Sequence, residues 1–219
     1  MPGLIFDFDG LMVDTERCLA EVLLEVLAEM GVTASYEEFG HLFGSTEVDE
    51  DWEALVEAWC GTAVSMAELD ARLGPLVAPR IDELPLLPGV EELLGGAREA
   101  DWGVALATGR DRAGLDPMLE RLGVAAAFDA IVTAEEVARG KPAPDIFLAA
   151  AEALGQPPPA CTVVEDSVPG CEAALAAGMR VVVCPSVVSA HCDFPAEATR
   201  VESLAELSVR SLAAQRSMR

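Results

Sequence analysis

Short apolar runs rich in valine, isoleucine or phenylalanine recur along the chain at the length of buried β-strands. Four runs are well defined and a fifth is weaker; they cover residues 4–8, 104–108, 162–165 and 180–184, and residues 130–133. Between them lie helix-forming segments rich in alanine, leucine and glutamate, at residues 90–100, 117–122, 144–154 and 169–177. This alternation of strand and helix predicts an α/β protein with a parallel sheet that is covered by helices on both faces.

A long insertion interrupts this alternation after the first strand. Residues 9–103 separate the first two strands, although a crossover connection needs only about a dozen residues. Three stretches within the insertion have helical spacing or composition: Leu19, Val22, Leu23, Val26, Leu27 and Met30; Trp52, Leu55, Val56 and Trp59; and residues 66–73. Residues 82–89, with two prolines, are typical of a return linker. The sequence therefore predicts a small helical cap over residues 16–84, hinged near Thr15 and Leu84, on a core formed by residues 1–15 and 85–219.

The chain is strongly acidic, with 38 Asp and Glu residues against 14 Lys and Arg residues and a formal net charge of -24. A surface of this sign repels the phosphate backbone of DNA or RNA, so we do not expect nucleic acid as a partner. It also repels small phosphorylated molecules. A site for such molecules would need local countercharge from Lys, Arg, backbone N–H groups or a metal ion.

Hydrophobic residues make up 52% of the chain and charged residues 24%, which is the balance of a globular protein. The apolar runs are too short to span a bilayer, and the first begins at Leu4, which leaves no room for a signal peptide. We therefore expect a cytoplasmic protein without a membrane partner. The six cysteines form no C-x-x-C pair, so neither a zinc site nor a disulfide framework is indicated.

Acidic side chains follow two of the predicted strands. Asp7 and Asp9 lie at the end of the first strand, where residues i and i+2 point to the same face, and Glu165 and Asp166 end a later strand. Carboxylates this close repel one another unless a cation lies between them or one of them is protonated, and Mg²⁺ prefers carboxylate ligands. Because ligands bind at the carboxyl ends of parallel strands, the two pairs are candidates for one divalent-cation site. The alternative is that the aspartates and Ser167 only cap the turns and the helix that follow.

Two further segments offer groups that bind phosphate. Thr108, Gly109 and Arg110 end the second strand, where a hydroxyl and backbone N–H groups can converge on a phosphate oxygen. Lys141 precedes a proline, and the residue before a proline is held in extended backbone just outside the helix that begins near Pro144. Taken singly, a threonine helix cap and a solvated lysine are competing interpretations. The predicted fold, however, brings all these groups to one crevice.

In order and spacing, these motifs resemble those of the haloacid dehalogenase-like hydrolase superfamily, in the capped branch that contains phosphoglycolate phosphatases and β-phosphoglucomutases. The matching segments are residues 7–16, Thr108-Gly109, residues 140–145 and residues 165–170. The resemblance implies a Rossmann-like doubly wound core with a helical cap inserted after the first strand. It also implies a Mg²⁺-dependent phosphatase that hydrolyses a small phosphorylated metabolite through an aspartyl-phosphate intermediate.

The resemblance further implies a role for each site residue. Asp7 is the expected nucleophile, and Asp9 is the expected general acid and base. Thr108 and Lys141 are expected to hold the transferring phosphoryl group, and Gly109 and Arg110, which follow Thr108, are further candidates for substrate binding. The expected contributors to the Mg²⁺ site are the Asp7 carboxylate, the Asp9 backbone carbonyl and Asp166, with Glu165 as a less direct ligand.

Two departures from the family pattern bear on the activity. Gly109 and Arg110 follow Thr108 where many relatives have Ser or Asn, so Arg110 or Arg112 is expected to share phosphate binding. In the cap, residues 43–49 carry acids where sugar-phosphate mutases of this branch typically have an arginine for the second phosphate. This difference favours a phosphatase. The alternatives are a β-phosphoglucomutase-like mutase and a non-catalytic metal-binding or interaction protein, and the expected assembly is a monomer or a weak dimer.

Overall fold

Six parallel strands form the centre of the computed structural model, which describes residues 1–45, 49–62 and 64–216. The strands are β1 (Gly3–Phe6), β2 (Gly103–Thr108), β3 (Ala130–Thr133), β4 (Cys161–Glu165), β5 (Arg180–Val183) and β6 (Thr199–Arg200). Their order in the sheet is β3-β2-β1-β4-β5-β6, and Phe6 of β1 lies between Leu106 of β2 and Val164 of β4. This order places the carboxyl ends of β1, β2 and β4 side by side, at the switch point where open α/β sheets bind ligands.

Helices cover both faces of the sheet. They are α5 (Val90–Glu99), α6 (Arg112–Leu122), α7 (Asp145–Ala153), α8 (Val168–Ala176) and α9 (Val209–Arg216). Because successive strand residues point to opposite faces, Leu4 and Phe6 pack with α5, α6 and α9, whereas Ile5 packs with α7 and α8. The central strands are thus buried on both faces, as their continuous apolar runs require. The predicted doubly wound α/β fold is confirmed.

The segment between β1 and β2 forms a helical insertion. Its helices are α1 (Thr15–Glu29), α2 (Tyr36–Phe39), α3 (Asp49–Cys60) and α4 (Met66–Ile81). They enclose an apolar core of their own, in which Leu23 and Leu27 of α1 share one cluster with Leu69 and Leu73 of α4. We propose that residues 16–84 are a cap domain on a core formed by residues 1–15 and 85–219.

The insertion lies close against the rest of the molecule at two glycines. A Cβ at Gly40 would overlap the carbonyl oxygen of Val188, and a Cβ at Gly44 would overlap the side chain of Ser167. Gly44 also has a φ of 81°, in the left-handed region that favours glycine. Val188, which follows β5, is fully buried within the apolar core of the insertion. These contacts seat the insertion on the loops that follow β4 and β5.

Several element boundaries differ from the sequence prediction. β1 ends at Phe6 and β5 at Val183, whereas the predicted runs ended at residues 8 and 184. α1 begins at Thr15, ahead of its first periodic leucine, and α4 continues to Ile81 beyond the predicted end near residue 73. The short elements α2 and β6 were missed, since neither is long enough to leave a periodic pattern, and helix α9 was missed as well. Within the described ranges, no helix is both long and apolar enough to cross a bilayer.

The start of α6 was predicted at Pro117 but lies five residues earlier, at Arg112. Asp111 caps this helix, because its carboxylate accepts a hydrogen bond from the backbone N–H of Gly114 at 2.8 Å. Pro117 therefore lies inside the helix, where it removes a backbone donor. Proline is favoured at the first position of a helix, but here the capping residue Asp111 determines where α6 begins.

Candidate active site

The carboxyl ends of the strands bring the predicted polar side chains together at one edge of the sheet. Asp7 follows β1, Thr108 ends β2, and Glu165 and Asp166 lie at the end of β4, while Lys141 comes from the connection between β3 and α7. All five residues are at most 6% exposed. A cavity of about 370 Å³ separates this edge from the helices of the insertion. Polar groups buried this deeply are costly unless they are paired, so their partners define the site.

Lys141 is the central cation of the site. Its Nζ donates to Oδ1 of Asp7 and, at 2.6 Å, to Oε1 of Glu165. Burial by itself would lower the pKa of Lys141, but the two carboxylates raise it above its ordinary value, so the ammonium stays charged. Oε2 of Glu165 accepts the backbone N–H groups of Asp166 and Ser167 at 2.9 and 3.0 Å, and the Ser167 hydroxyl at 2.9 Å. Glu165 therefore has both oxygens engaged and holds Lys141 against Asp7.

Asp7, Glu165 and Asp166 form a buried acidic cluster. One carboxylate oxygen from each lies within 4.8 Å of the others. Oδ2 of Asp166 is buried and, among the residues that the structure describes, has no hydrogen-bond partner. Gly10 leaves room for this oxygen, because a Cβ there would overlap it. Lys141 pairs with only two of these three buried carboxylates, and the third has an unsatisfied oxygen, so the cluster fits a hard divalent cation such as Mg²⁺.

Glu16, which was not predicted as a site residue, joins the acidic cluster from the first turn of α1. Its side chain is buried beside Asp166, and its Oε2 accepts a hydrogen bond from the Ser186 hydroxyl at 3.2 Å. The hydroxyl of Ser189 donates to the carbonyl oxygen of Asp166 at 2.7 Å. Ser186 and Ser189 thus hold Glu16 and Asp166 in place at this edge of the cluster. The only signal in the sequence was a glutamate close behind the two aspartates, ahead of the periodic part of the helix.

Without a cation, the acidic cluster favours bound protons. Burial raises the pKa of Asp7 from 3.8 to about 7, although Lys141 acts in the opposite direction. Burial, with the charges of Asp7, Asp9 and Glu165, raises the pKa of Glu16 from 4.5 to about 8, although Asp166 acts in the opposite direction. Burial, followed by the charges of Glu16 and Glu165, raises the pKa of Asp166 well above its usual value. Metal binding would release these protons.

These pKa shifts predict how the stability of the metal-free protein depends on pH. The folded-state pKa values of Asp7 and Glu16 lie above their unfolded values, so the folded chain keeps protons that the unfolded chain has released. The free energy of unfolding should therefore fall as the pH rises from about 5 to about 8. Thermal denaturation in EDTA at several pH values measures this effect, and added Mg²⁺ should raise the melting temperature more at the alkaline end. A melting temperature that rises over this range in EDTA would contradict the prediction.

Asp9 has different partners from Asp7, although both line the cavity. The Thr15 hydroxyl donates to Oδ1 of Asp9 at 2.6 Å. The guanidinium of Arg110 holds both Asp9 oxygens, with Nε donating to Oδ2 at 3.2 Å and Nη2 donating to Oδ1. Burial of the guanidinium opposes its charge, but Asp9 raises the pKa of Arg110 above its ordinary value. The structure thus brings Asp7 and Asp9 to the same cavity, with an Asp9–Arg110 salt bridge that the sequence did not predict.

The remaining predicted phosphate-binding residues divide into two groups. Thr108, Gly109 and Arg110 line the cavity, and Oγ1 of Thr108 accepts the backbone N–H of Arg110 at 3.2 Å. The guanidinium of Arg112 instead donates to the carbonyl oxygen of Ile131 at 2.8 Å and does not line the cavity. Of the two arginines that were candidates for phosphate binding, Arg110 is therefore the one that lines the cavity.

The fold and the site together place the chain among α/β enzymes that carry an acidic site at the carboxyl edge of a parallel sheet, here with a helical insertion after the first strand. A family profile described as haloacid dehalogenase-like hydrolase matches residues 1–178. The chain therefore belongs to the haloacid dehalogenase-like hydrolase family, which confirms the resemblance that its motifs carry.

Relatives with known names match over nearly the whole chain. YhcW of Bacillus subtilis (strain 168) is 35% identical over 210 residues, which are 96% of this chain and 95% of that protein. Hexitol phosphatase B of Escherichia coli (strain K12) is 33% identical over 213 residues, with 95% of each chain covered. A solved structure of ATU0790 from Agrobacterium tumefaciens, a haloacid dehalogenase-like protein of unknown function, matches with a TM-score of 0.79 and 28% identity over 99% of each chain. The family match and the relatives described as phosphatases, YhcW and hexitol phosphatase B, confirm the predicted class, a phosphoric monoester hydrolase.

Proposed function

We propose that the protein is a Mg²⁺-dependent phosphatase that hydrolyses a small phosphorylated metabolite through an aspartyl-phosphate intermediate. The observation that carries this proposal is the placement of Asp7. Its carboxylate lines the cavity, is paired with the buried Lys141, and belongs to the acidic cluster that fits a divalent cation. A carboxylate held in this way can attack phosphorus while positive charge on both sides offsets the charge of the phosphate.

In the proposed reaction, a carboxylate oxygen of Asp7 bonds to phosphorus as the bond from phosphorus to the ester oxygen breaks. Asp9 gives a proton to the departing alcohol oxygen. Asp9 then takes a proton from a water molecule, whose oxygen attacks the aspartyl-phosphate, releases inorganic phosphate and restores Asp7. Lys141, Thr108 and Arg110 would bind the phosphoryl oxygens, and a bound phosphate dianion would draw the Arg110 guanidinium away from Asp9.

The proposed metal site uses groups that the fold already brings together. The Asp7 and Asp166 carboxylates and the Asp9 backbone carbonyl would hold Mg²⁺, and the unsatisfied Asp166 oxygen supports this assignment. Glu165 would act from outside the ligand set, because both of its oxygens already accept hydrogen bonds. When bound, the ion would neutralise negative charge on the transferring phosphoryl group.

The charges around the cavity favour a phosphatase over a sugar-phosphate mutase. A mutase needs to hold a second phosphate, and within the described part of the lining the only cations are Arg110 and Lys141, both at the sheet edge. Part of the acidic cap segment at residues 43–49, on which the sequence argument against a mutase rested, lies outside the described residues. A non-catalytic metal-binding protein would not need a lysine buried between two carboxylates.

A phosphate-release assay tests the proposed function. The purified protein would be incubated with a panel of phosphomonoesters, including sugar phosphates, phosphoglycolate and alkyl phosphates, with Mg²⁺ or with EDTA. We expect release from at least one ester with Mg²⁺, and a decrease of at least about a hundredfold in EDTA. An isomerised product that forms only when a sugar bisphosphate is added would support the mutase instead. Absence of both products across the panel would overturn the phosphatase proposal.

A further inference from the structure

The part of the cavity wall that the insertion contributes is mostly apolar. It comes from helices α1, α3 and α4 and from the segment before α3, and it includes Leu19, Leu23, Trp52, Met66, Leu73 and Val77. Thr15 and Glu16, at the start of α1, also line the cavity, but they are hydrogen-bonded to Asp9 and Ser186 beside the sheet edge. Among the other described residues of this wall, the polar side chains are those of Ser45, Asp70 and Trp52. The alcohol part of a bound phosphate ester would therefore lie mainly against carbon.

The two ends of the cavity differ in charge. Lys141 and Arg110 are at the sheet edge, where a phosphate would bind, whereas beyond Glu16 the charged side chain described on the wall of the insertion is the carboxylate of Asp70. A second phosphate or a carboxylate at that end would face a like charge, which is unfavourable. A polyol would also fit poorly, because hydroxyl groups that lose water without gaining protein partners are costly to bury.

We propose that the substrate is the phosphate monoester of an uncharged, largely apolar alcohol. This inference rests on the proposed phosphatase function and specifies its substrate class. The phosphate would bind between Lys141 and Arg110, and the carbon chain would lie against α1 and α4. Hydrolysis breaks the ester bond at phosphorus; the oxygen of water ends on inorganic phosphate, and the alcohol leaves with a proton. A cavity of about 370 Å³ is large enough for an alcohol of several carbon atoms.

A matched pair of substrates tests the inference. n-Hexyl phosphate and a hexitol 6-phosphate have the same carbon count and the same primary phosphate ester, and differ only in the hydroxyl groups along the chain. Acetyl phosphate, which is too short to reach the wall of the insertion, reports on the sheet-edge site alone. We expect kcat/KM for hexyl phosphate to exceed that for the hexitol phosphate by at least about tenfold.

Two variants probe the wall directly. Met66→Gln keeps the side-chain volume at a half-buried position and should lower kcat/KM for hexyl phosphate several-fold relative to acetyl phosphate. Asp70→Lys, at an exposed position on α4, should raise kcat/KM for a hexitol 1,6-bisphosphate relative to hexyl phosphate by roughly tenfold. The ratio of two substrates within one variant separates a change in specificity from a loss of folded protein.

The outcomes distinguish this inference from the proposed function. If the enzyme prefers the hexitol phosphate, or hydrolyses the two six-carbon esters at equal rates, the apolar-substrate inference is overturned and the phosphatase proposal stands. If none of the three phosphates is hydrolysed in Mg²⁺ and the metabolite panel is also negative, both are overturned.

Discussion

Asp7→Asn is expected to abolish phosphate release, with turnover reduced by at least about a thousandfold. The amide has nearly the shape of the carboxylate but lacks the negative charge needed to attack phosphorus and to bind a cation. Lys141 keeps its ion pair with Glu165 at 2.6 Å, so the variant should remain folded. Initial rates of phosphate release in Mg²⁺, together with a thermal melt of the same sample, measure the two effects separately.

Asp116→Asn is a matched control for this experiment. Asp116 is an exposed aspartate on α6, paired with Arg112 at 3.5 Å and not part of the cavity lining. The same chemical change there should leave turnover within about twofold of the parent chain, because an exposed ion pair contributes little. Full activity in Asp7→Asn would remove Asp7 from the role of nucleophile, whatever the behaviour of the control.

Lys141→Ala is expected to impair both stability and activity. Removal of the ammonium leaves the carboxylates of Asp7, Glu165 and Asp166 buried together without their cation. Loss of one partner from a buried ion pair typically costs about 3–5 kcal/mol, so the free energy of unfolding in EDTA should fall by about that amount near neutral pH. Turnover should decrease by at least about a thousandfold, because the phosphoryl group also loses its main cationic contact. Urea denaturation and phosphate release measure the two effects.

The exposed Arg139, two residues before Lys141, provides the comparison. Arg139 pairs with Asp145 at 2.8 Å, and 64% of its side chain is exposed. Arg139→Ala should therefore lower the free energy of unfolding by less than about 1 kcal/mol and leave turnover close to that of the parent chain. Equal effects of the two substitutions on the free energy of unfolding and on turnover would contradict the role assigned to Lys141.

The central strands and the core helices α5, α7 and α8 were predictable because their signals are local. A strand buried on both faces must be apolar throughout, so β1, β2, β4 and β5 stand out from the surrounding sequence. Boundaries were less predictable, since they depend on capping and on competition between signals. In α6 the aspartate cap at Asp111 outweighed Pro117, and no pattern in the sequence ranks the two.

The candidate site was predictable to the extent that the order of the sheet determines it. Asp7, Thr108, Lys141 and Asp166 each follow a different strand, and the switch point brings them to one edge. Ser167 also caps α8, accepting the N–H of Gly170 at 3.2 Å, so a capping role and a place beside the site coexist there. The two interpretations were never exclusive.

The contacts that could not be predicted join residues far apart in the chain, and they depend on the direction in which each side chain points. Arg110 reaches Asp9 from another strand, and Ser186 reaches Glu16 from a segment 170 positions away in sequence. Neither contact follows from periodicity or from a motif, because each requires the relative placement of two loops. Only the assembled fold supplies that information.

The burial of Val188 couples the position of the insertion to the stability of the molecule. This side chain belongs to the segment after β5, yet it packs in the apolar core of the insertion. A displacement of the inserted helices away from this segment would expose the side chain, and exposing one fully buried aliphatic side chain costs about 1.5–3 kcal/mol. Val188→Ala would therefore lower the cost of such a displacement.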